Sequence, residues 1–322
     1  MKKLFSLILI VALLTLTLAG CAHFYKSDYA LMIGISTSQS LTSQPPENPT
    51  EFFSEVTHTV AAIVIDKDYK IVSCRIDCIS VKAALDAEGN VFAADSRGNK
   101  LEAIKSKAEL GSAYGMLTNS PYYGSSLAEW DDQAKAFETY VKGKTREEVK
   151  NINTKDETLL AGCTIGVTDF MKAIDNAFAS NHMVGMQTKG DITLGVAASA
   201  KVSKSENSAS YTADFSAVAL VDGKVLGAVI DSKEVTSKIS ADGKFDKIKD
   251  SGSKLEKGDN YGMVAYGNAI AEWYEQAQAF ADTAKGKTVS ELAGLATEGV
   301  AGCTIYAGGY KSVLEKAASY AR

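Results

Sequence analysis

Two short stretches hold the residues best placed to do chemistry. Ala161-Gly162-Cys163-Thr164-Ile165 and Ala301-Gly302-Cys303-Thr304-Ile305 each set a single hydroxyl among small side chains. The glycine lets the backbone turn where other residues resist. That composition presents Thr164 and Thr304. A presented hydroxyl could act as a nucleophile, or could cap the helix-like run that follows it. A nucleophile needs a base and a residue that orients the base, and the chain offers no such set. A hydrolase or peptidase is therefore disfavoured.

The remaining reactive side chains are sparse. His23, His58 and His182 are scattered without metal spacing, and no C-x-x-C pair occurs among the five cysteines. Cys163 and Cys303 sit at matching places, so chemistry local to the motif explains them better than a long-range bridge. Cys74 and Cys78 are four apart, roughly 13 Å in an extended segment, which is beyond disulfide reach unless the chain bends there.

The N-terminus reads as an export signal. Lys2 and Lys3 precede an apolar run from Leu4 to Leu18, and Leu18-Ala19-Gly20-Cys21 resembles the bacterial lipobox. That resemblance implies cleavage before Cys21 and acylation of its thiol, with a two-chain diacylglycerol giving stable anchoring. Nothing later in the sequence is apolar for long enough to span a bilayer as a helix. Loss of residues 1–20, which hold two lysines and no acid, takes the formal charge from −5 to −7. A mild acidic excess argues against a nucleic-acid or anionic-membrane surface. With 46% hydrophobic and 23% charged residues the composition is globular, and about 300 residues suit two domains.

The elements that must position the two threonines recur in the same order. Ala30 to Ile35 predicts a strand and the polar, proline-bearing stretch Ser36 to Pro49 a loop. His58 to Asp66 and Lys70 to Ile76 predict neighbouring antiparallel strands around Asp66-Lys67-Asp68. Turns follow at Glu88-Gly89-Asn90 and Arg97-Gly98-Asn99. Trp130, Ala134, Phe137 and Val141 form one apolar stripe on a helix from Leu127 to Lys142, with Gly143 as its stop. Thr145 with Glu148 predicts the cap of a short helix, and Phe170, Ile174 and Ala177 a last one.

The second half answers each step. Thr193 to Val196 corresponds to the first strand, and Phe215 to Val221 with Lys224 to Ile230 to the hairpin, turning at Asp222-Gly223. Ile76-Asp77 matches Ile230-Asp231, Gly89 matches Gly243, and Tyr114-Gly115-Met116 matches Tyr261-Gly262-Met263. Glu129-Trp130, Gln133-Ala134 and Ala136-Phe137 reappear as Glu272-Trp273, Gln276-Ala277 and Ala279-Phe280. Ser180 to Met183 is the seam. The expected fold class is α+β, with two tandem homologous domains, each a largely antiparallel sheet packed with helices, after a lipoprotein signal peptide.

Two further motifs have plain readings. Gly143-Lys144-Thr145 and Gly286-Lys287-Thr288 lack the first glycine of a phosphate loop, where Glu138 and Ala281 stand, and they follow a helix. They read as a helix stop and the next cap. Glu129, Gln133, Glu272 and Gln276 either face a ligand of the same kind in both halves or lie beside a packed stripe. Tyr114 and Tyr261 could stack on a planar ring or cap the sheet.

A Gly-x-Thr element before a C-terminal helix, in an exported lipoprotein, resembles the FMN-binding domain of flavin-carrying proteins, whose pattern is Ser-Gly-Ala-Thr with an upstream Asp. The tandem arrangement, the Glu-Trp-x-x-Gln-Ala helix and the Gly-Lys-Thr step are similar to two-domain lipoproteins of extracellular electron transfer. The chain has Ala161 and Ala301 for the Ser, Cys163 and Cys303 for the Ala, and Glu157 and Glu298 as nearby upstream acids. The resemblance implies a signal peptide at 1–20, a lipidated tether at 21–28, and FMN-binding-like repeats at 29–180 and 183–322. It implies FMN joined through its phosphate to Thr164 and Thr304 by a flavin transferase, with Gly162, Gly302, Cys163 and Cys303 around it. The physical case is that a helix N-terminus and a glycine favour a phosphate. It further implies a carrier anchored outside the cell membrane, passing electrons from a membrane donor to extracellular acceptors. The alternative is a non-catalytic surface lipoprotein that binds a small ligand or protein partner between its halves.

Overall fold

The computed structural model describes residues 27–41, 53–118 and 126–322. The leader and Cys21 lie outside the described residues. Nine strands build two antiparallel sheets, so the chain is α+β. The first sheet has the order β4-β3-β2-β1-β5, from β1 (Tyr29–Leu41), β2 (Ser54–Asp66), β3 (Ile71–Leu85), β4 (Val91–Ala93) and β5 (Val184–Met186). The second runs β6 (Thr193–Ser205), β7 (Ser208–Val221), β8 (Lys224–Ile239) and β9 (Phe245–Ser253).

Nine α-helices complete the described residues. They are α1 (Lys107–Leu110), α2 (Trp130–Tyr140), α3 (Arg146–Lys150), α4 (Glu157–Leu160), α5 (Thr168–Ala179), α6 (Lys254–Lys257), α7 (Met263–Gly267), α8 (Trp273–Asp282) and α9 (Gly308–Ser319). The two sheets pack face to face, with α2 and α5 outside the first and α8 and α9 outside the second.

Burial on both faces explains why the central strands read as near-continuous apolar runs. Along β1 and β2 the side chains alternate. Ala30, Met32, Ala61, Ile63 and Ile65 join the core under α2 and α5. Leu31, Ile33, Ile35, Val60, Ala62 and Val64 join a core that also holds Val196, Phe215, Ala217 and Val229 of the second half. His58 lies in this inter-sheet layer, its ring edge-on to Phe215 at 5.6 Å. Burial is the main reason its imidazole is pushed down to about 3, so it stays neutral.

Glycine at one place per half lets a helix touch the sheet. A Cβ on Gly34 would stand 2.1 Å from the Ala177 nitrogen, and one on Gly195 would stand 1.8 Å from the Ala317 oxygen. No larger residue fits beneath α5 or α9.

Most of the expected elements are present, and the helix stop at Gly143 has a left-handed φ of 78°. Gly143 N–H donates to Ile71 O and Gly286 N–H to Val225 O, so each Gly-Lys-Thr step ties a helix end to the sheet. Thr145 and Thr288 both close capping boxes, with Glu148 and Glu291. One expectation fails: Ser36 to Leu41 continues β1 instead of opening a loop, because Ser36 to Leu41 pair in register with Thr59 to Ser54. A polar stretch at a sheet end is half-solvated and needs no apolar alternation. Cys74 and Cys78 both lie on the straight strand β3, buried and free, as their spacing requires.

Candidate functional site

The site is built around the first turn of α2 and of α8. Glu129, at the N-cap of α2, and Gln133 in its first turn each hold a different loop. The Glu129 carboxylate accepts from the backbone N–H groups of Met116 (2.8 Å) and Leu117 (3.1 Å). The Gln133 Oε1 accepts from the Thr164 N–H (2.8 Å), the Thr164 hydroxyl (3.1 Å) and the Ile165 N–H (3.3 Å). Its amide donates to Ala128 O at 2.8 Å, which fixes the orientation of the side chain. Gln133 is wholly buried, so each of these bonds is made away from water.

The second half repeats the clamp in all but the bond from Ile165. Glu272 accepts from Met263 N–H (2.9 Å) and Val264 N–H (3.0 Å). Gln276 accepts from Thr304 N–H (2.8 Å) and its hydroxyl (2.9 Å), and donates to Ala271 O (2.8 Å). Gly162 and Gly302 let the loop lie on the helix: a Cβ would stand 2.8 Å from Ala136 Cβ in one copy and 3.3 Å from Ala279 Cβ in the other.

Thr164 and Thr304 are exposed, while the neighbouring cysteines are buried. Burial pushes the Cys163 thiol up to about 11 and also raises Cys303, so both stay protonated and belong to the packed side of the loop. The threonines do not cap the following helices. α5 begins at Thr168 behind Val167, and α9 at Gly308 behind Ala307, four residues further on. The upstream acids Glu157 and Glu298 are exposed.

Beside Thr164 opens a cavity of about 310 Å³ whose wall includes Ile165 and Gly166. Lys107, Tyr114, Trp130, Asp169 and Phe170 give it aromatic faces and one charge of each sign. Lys107 Nζ lies 4.9 Å from the Tyr114 ring centre and 5.4 Å from that of Trp130. Lys254 repeats this with Tyr261 (5.4 Å) and Trp273 (5.0 Å). Six of the eleven exposed large hydrophobics among the described residues, Leu117, Leu127, Val264, Tyr266, Ile270 and Tyr306, flank the clamped loops. Apolar surface gathered at one kind of place marks a contact surface.

Compared with family models, with curated proteins and with solved structures, the chain matches none.

Several of its residues escaped the sequence reading. Lys107 and Lys254 each follow a serine that closes a capping box with Glu109 or Glu256, and that shared Ser-Lys-x-Glu spacing was the available signal. Asp77 and Asp231 were matched by position but not by function. Each lends one carboxylate oxygen to two backbone N–H groups, Cys78 and Ala108 in one half, Ser232 and Leu255 in the other. They moor the helix that carries the lysine. The described residues contain no cluster of three or more potential metal ligands and no helix long and apolar enough to cross a membrane.

Proposed function

We propose that the chain is a membrane-anchored extracellular electron carrier that holds FMN through phosphoester bonds at Thr164 and Thr304. The observation that carries this reading is the matching, glutamine-clamped presentation of two exposed threonine hydroxyls, the first beside a cavity walled by Trp130, Tyr114 and Lys107.

The residues present fit the group. The threonine oxygen is open to solvent and keeps a lone pair beyond the bond it donates to glutamine. A cavity of about 310 Å³ is within the size range of small-molecule sites, and its aromatic walls suit a planar ring. FMN would supply reversible electron uptake and release, and the protein would hold and tune it. Gln133 and Gln276 orient the hydroxyl, the glycines let the loop lie flat, and Lys107 and Lys254 place positive charge beside the ring faces. Anchoring at Cys21 through its lipid would keep the carrier at the outer face of the membrane, between a membrane donor and extracellular acceptors.

The test is the mass of the peptides bearing Thr164 and Thr304 after co-expression of the full chain with a flavin transferase. One FMN increment on each peptide, removed by Thr164→Ala or Thr304→Ala respectively, is the expected result. Unmodified peptides from a colourless protein would sink the reading. A second reading, a non-catalytic lipoprotein binding a small ligand, has its own support in a cavity of about 600 Å³ where the halves meet, lined by His182, Tyr274, Gln278 and Asp282.

A further inference from the structure

The clefts beside the two threonines share a frame and differ in filling. In the second half Tyr310 stands edge-on to Trp273, and its hydroxyl accepts from the Trp273 indole N–H (3.2 Å) and from Lys254 Nζ (3.4 Å). Ser232 and Asp214 complete this polar cluster. The chain thus satisfies its own indole and ammonium.

At the matching places the first half has Phe170 for Tyr310, seven residues after Cys163 as Tyr310 is after Cys303. It has Cys78 for Ser232, each following the mooring aspartate. It has Thr59 for Asp214, each preceding the residue that pairs with that aspartate. The tyrosine hydroxyl and the aspartate carboxylate are absent, with a thiol and a threonine hydroxyl at the other two places, while the tryptophan and the lysine remain. A cavity of about 310 Å³ opens onto them. Among the described residues neither Lys107 Nζ nor the Trp130 indole N–H has a hydrogen-bond or ion-pair partner. Asp169 adds a carboxylate to the lining, where the second half has Gly309. The Ser36 hydroxyl donates to one of its oxygens at 2.9 Å and leaves the other.

We propose that the two halves are unequal: the first-half cleft binds a planar heteroaromatic ring bearing adjacent carbonyl and N–H groups, whereas in the second half the Tyr310 hydroxyl already occupies the equivalent donors. Lys107 and the Trp130 indole supply donors for the carbonyls, Asp169 supplies the acceptor for the N–H, and the Tyr114 and Phe170 rings supply apolar contact. The inference rests on the flavin reading only for the identity of the ring. It requires neither the phosphoester nor the transferase.

The experiment is a titration of the full chain, made without a flavin transferase, with riboflavin, following quenching of riboflavin fluorescence. One equivalent bound by the wild type is expected. Phe170→Tyr, which puts the second-half hydroxyl into the first cleft, should weaken binding by at least about tenfold at an unchanged thermal midpoint. Tyr310→Phe should leave that first site untouched. No quenching, two equal sites in the wild type, or full affinity in a folded Phe170→Tyr protein would each overturn the proposal. Riboflavin binding with unmodified threonine peptides would reject the covalent reading and keep the cleft. Modified peptides without riboflavin binding would do the reverse.

Discussion

Asp77 and Asp231 tie the site to solution pH. Burial is the largest cause of their shifts and raises them from 3.8 to about 6 and about 7, against the hydrogen bonds that favour the carboxylate. A carboxyl whose folded pKa lies above its unfolded value binds more protons folded than unfolded between the two. Stability therefore falls as pH rises from about 4 through 6 to 7, and the contribution is flat above that. The expected loss is on the order of 3 kcal/mol per site. Urea unfolding at pH 4, 5.5, 7 and 8 would measure it, and Asp77→Asn with Asp231→Asn should flatten the profile. A double variant as steep as the wild type would clear these two acids of the effect.

At the scale of elements, the decisive contacts are those between strand and helix backbones. Gly34 beneath α5 and Gly195 beneath α9 leave room for nothing but hydrogen, because the atoms a Cβ would meet are main-chain atoms that cannot swing away. Gly34→Ala or Gly195→Ala must lift the helix off its sheet and with it the Ala-Gly-Cys-Thr loop that precedes it. The expected cost is about 3 kcal/mol or more, at the upper end for overpacked sites, read as a lowered urea midpoint. A loss under about 0.5 kcal/mol, the range of ordinary surface changes, would show that the helix can shift at no cost.

Across the whole molecule, the core between the sheets joins the halves. It draws Leu31, Val60 and Ile79 from one half and Phe215, Ala217 and Val229 from the other. A buried charge cluster adds to it: Glu138 accepts from Arg75 (3.1 Å) and from Arg322 (3.0 Å), and Arg75 also donates to Tyr320 O. β5, just past the seam, pairs with β1 of the other half. Each half carries one tryptophan, so Trp130→Phe and Trp273→Phe leave single reporters of the two halves. Their denaturant transitions should coincide, since neither half can open without exposing the shared core. Two separate midpoints would mean that each half folds independently.

Much of the fold was legible because local physics wrote it. Val and Ile runs set β2 and β3, the Trp130 to Val141 stripe set α2, and the Thr145 and Thr288 boxes set the next starts. The recurrence of Gly-Cys-Thr and Glu-Trp-x-x-Gln-Ala marked both parts of each site. What these did to one another was not legible. That Gln133 grips Thr164 across 31 residues, that Lys107 lies beside two rings, and that Tyr310 accepts from an indole and an ammonium whose counterparts face Phe170 are facts of tertiary placement. Spacing along the chain determines which face a side chain takes within its own element. Which element lies opposite depends on how the sheets and helices bury their faces together, and only the folded structure decided that.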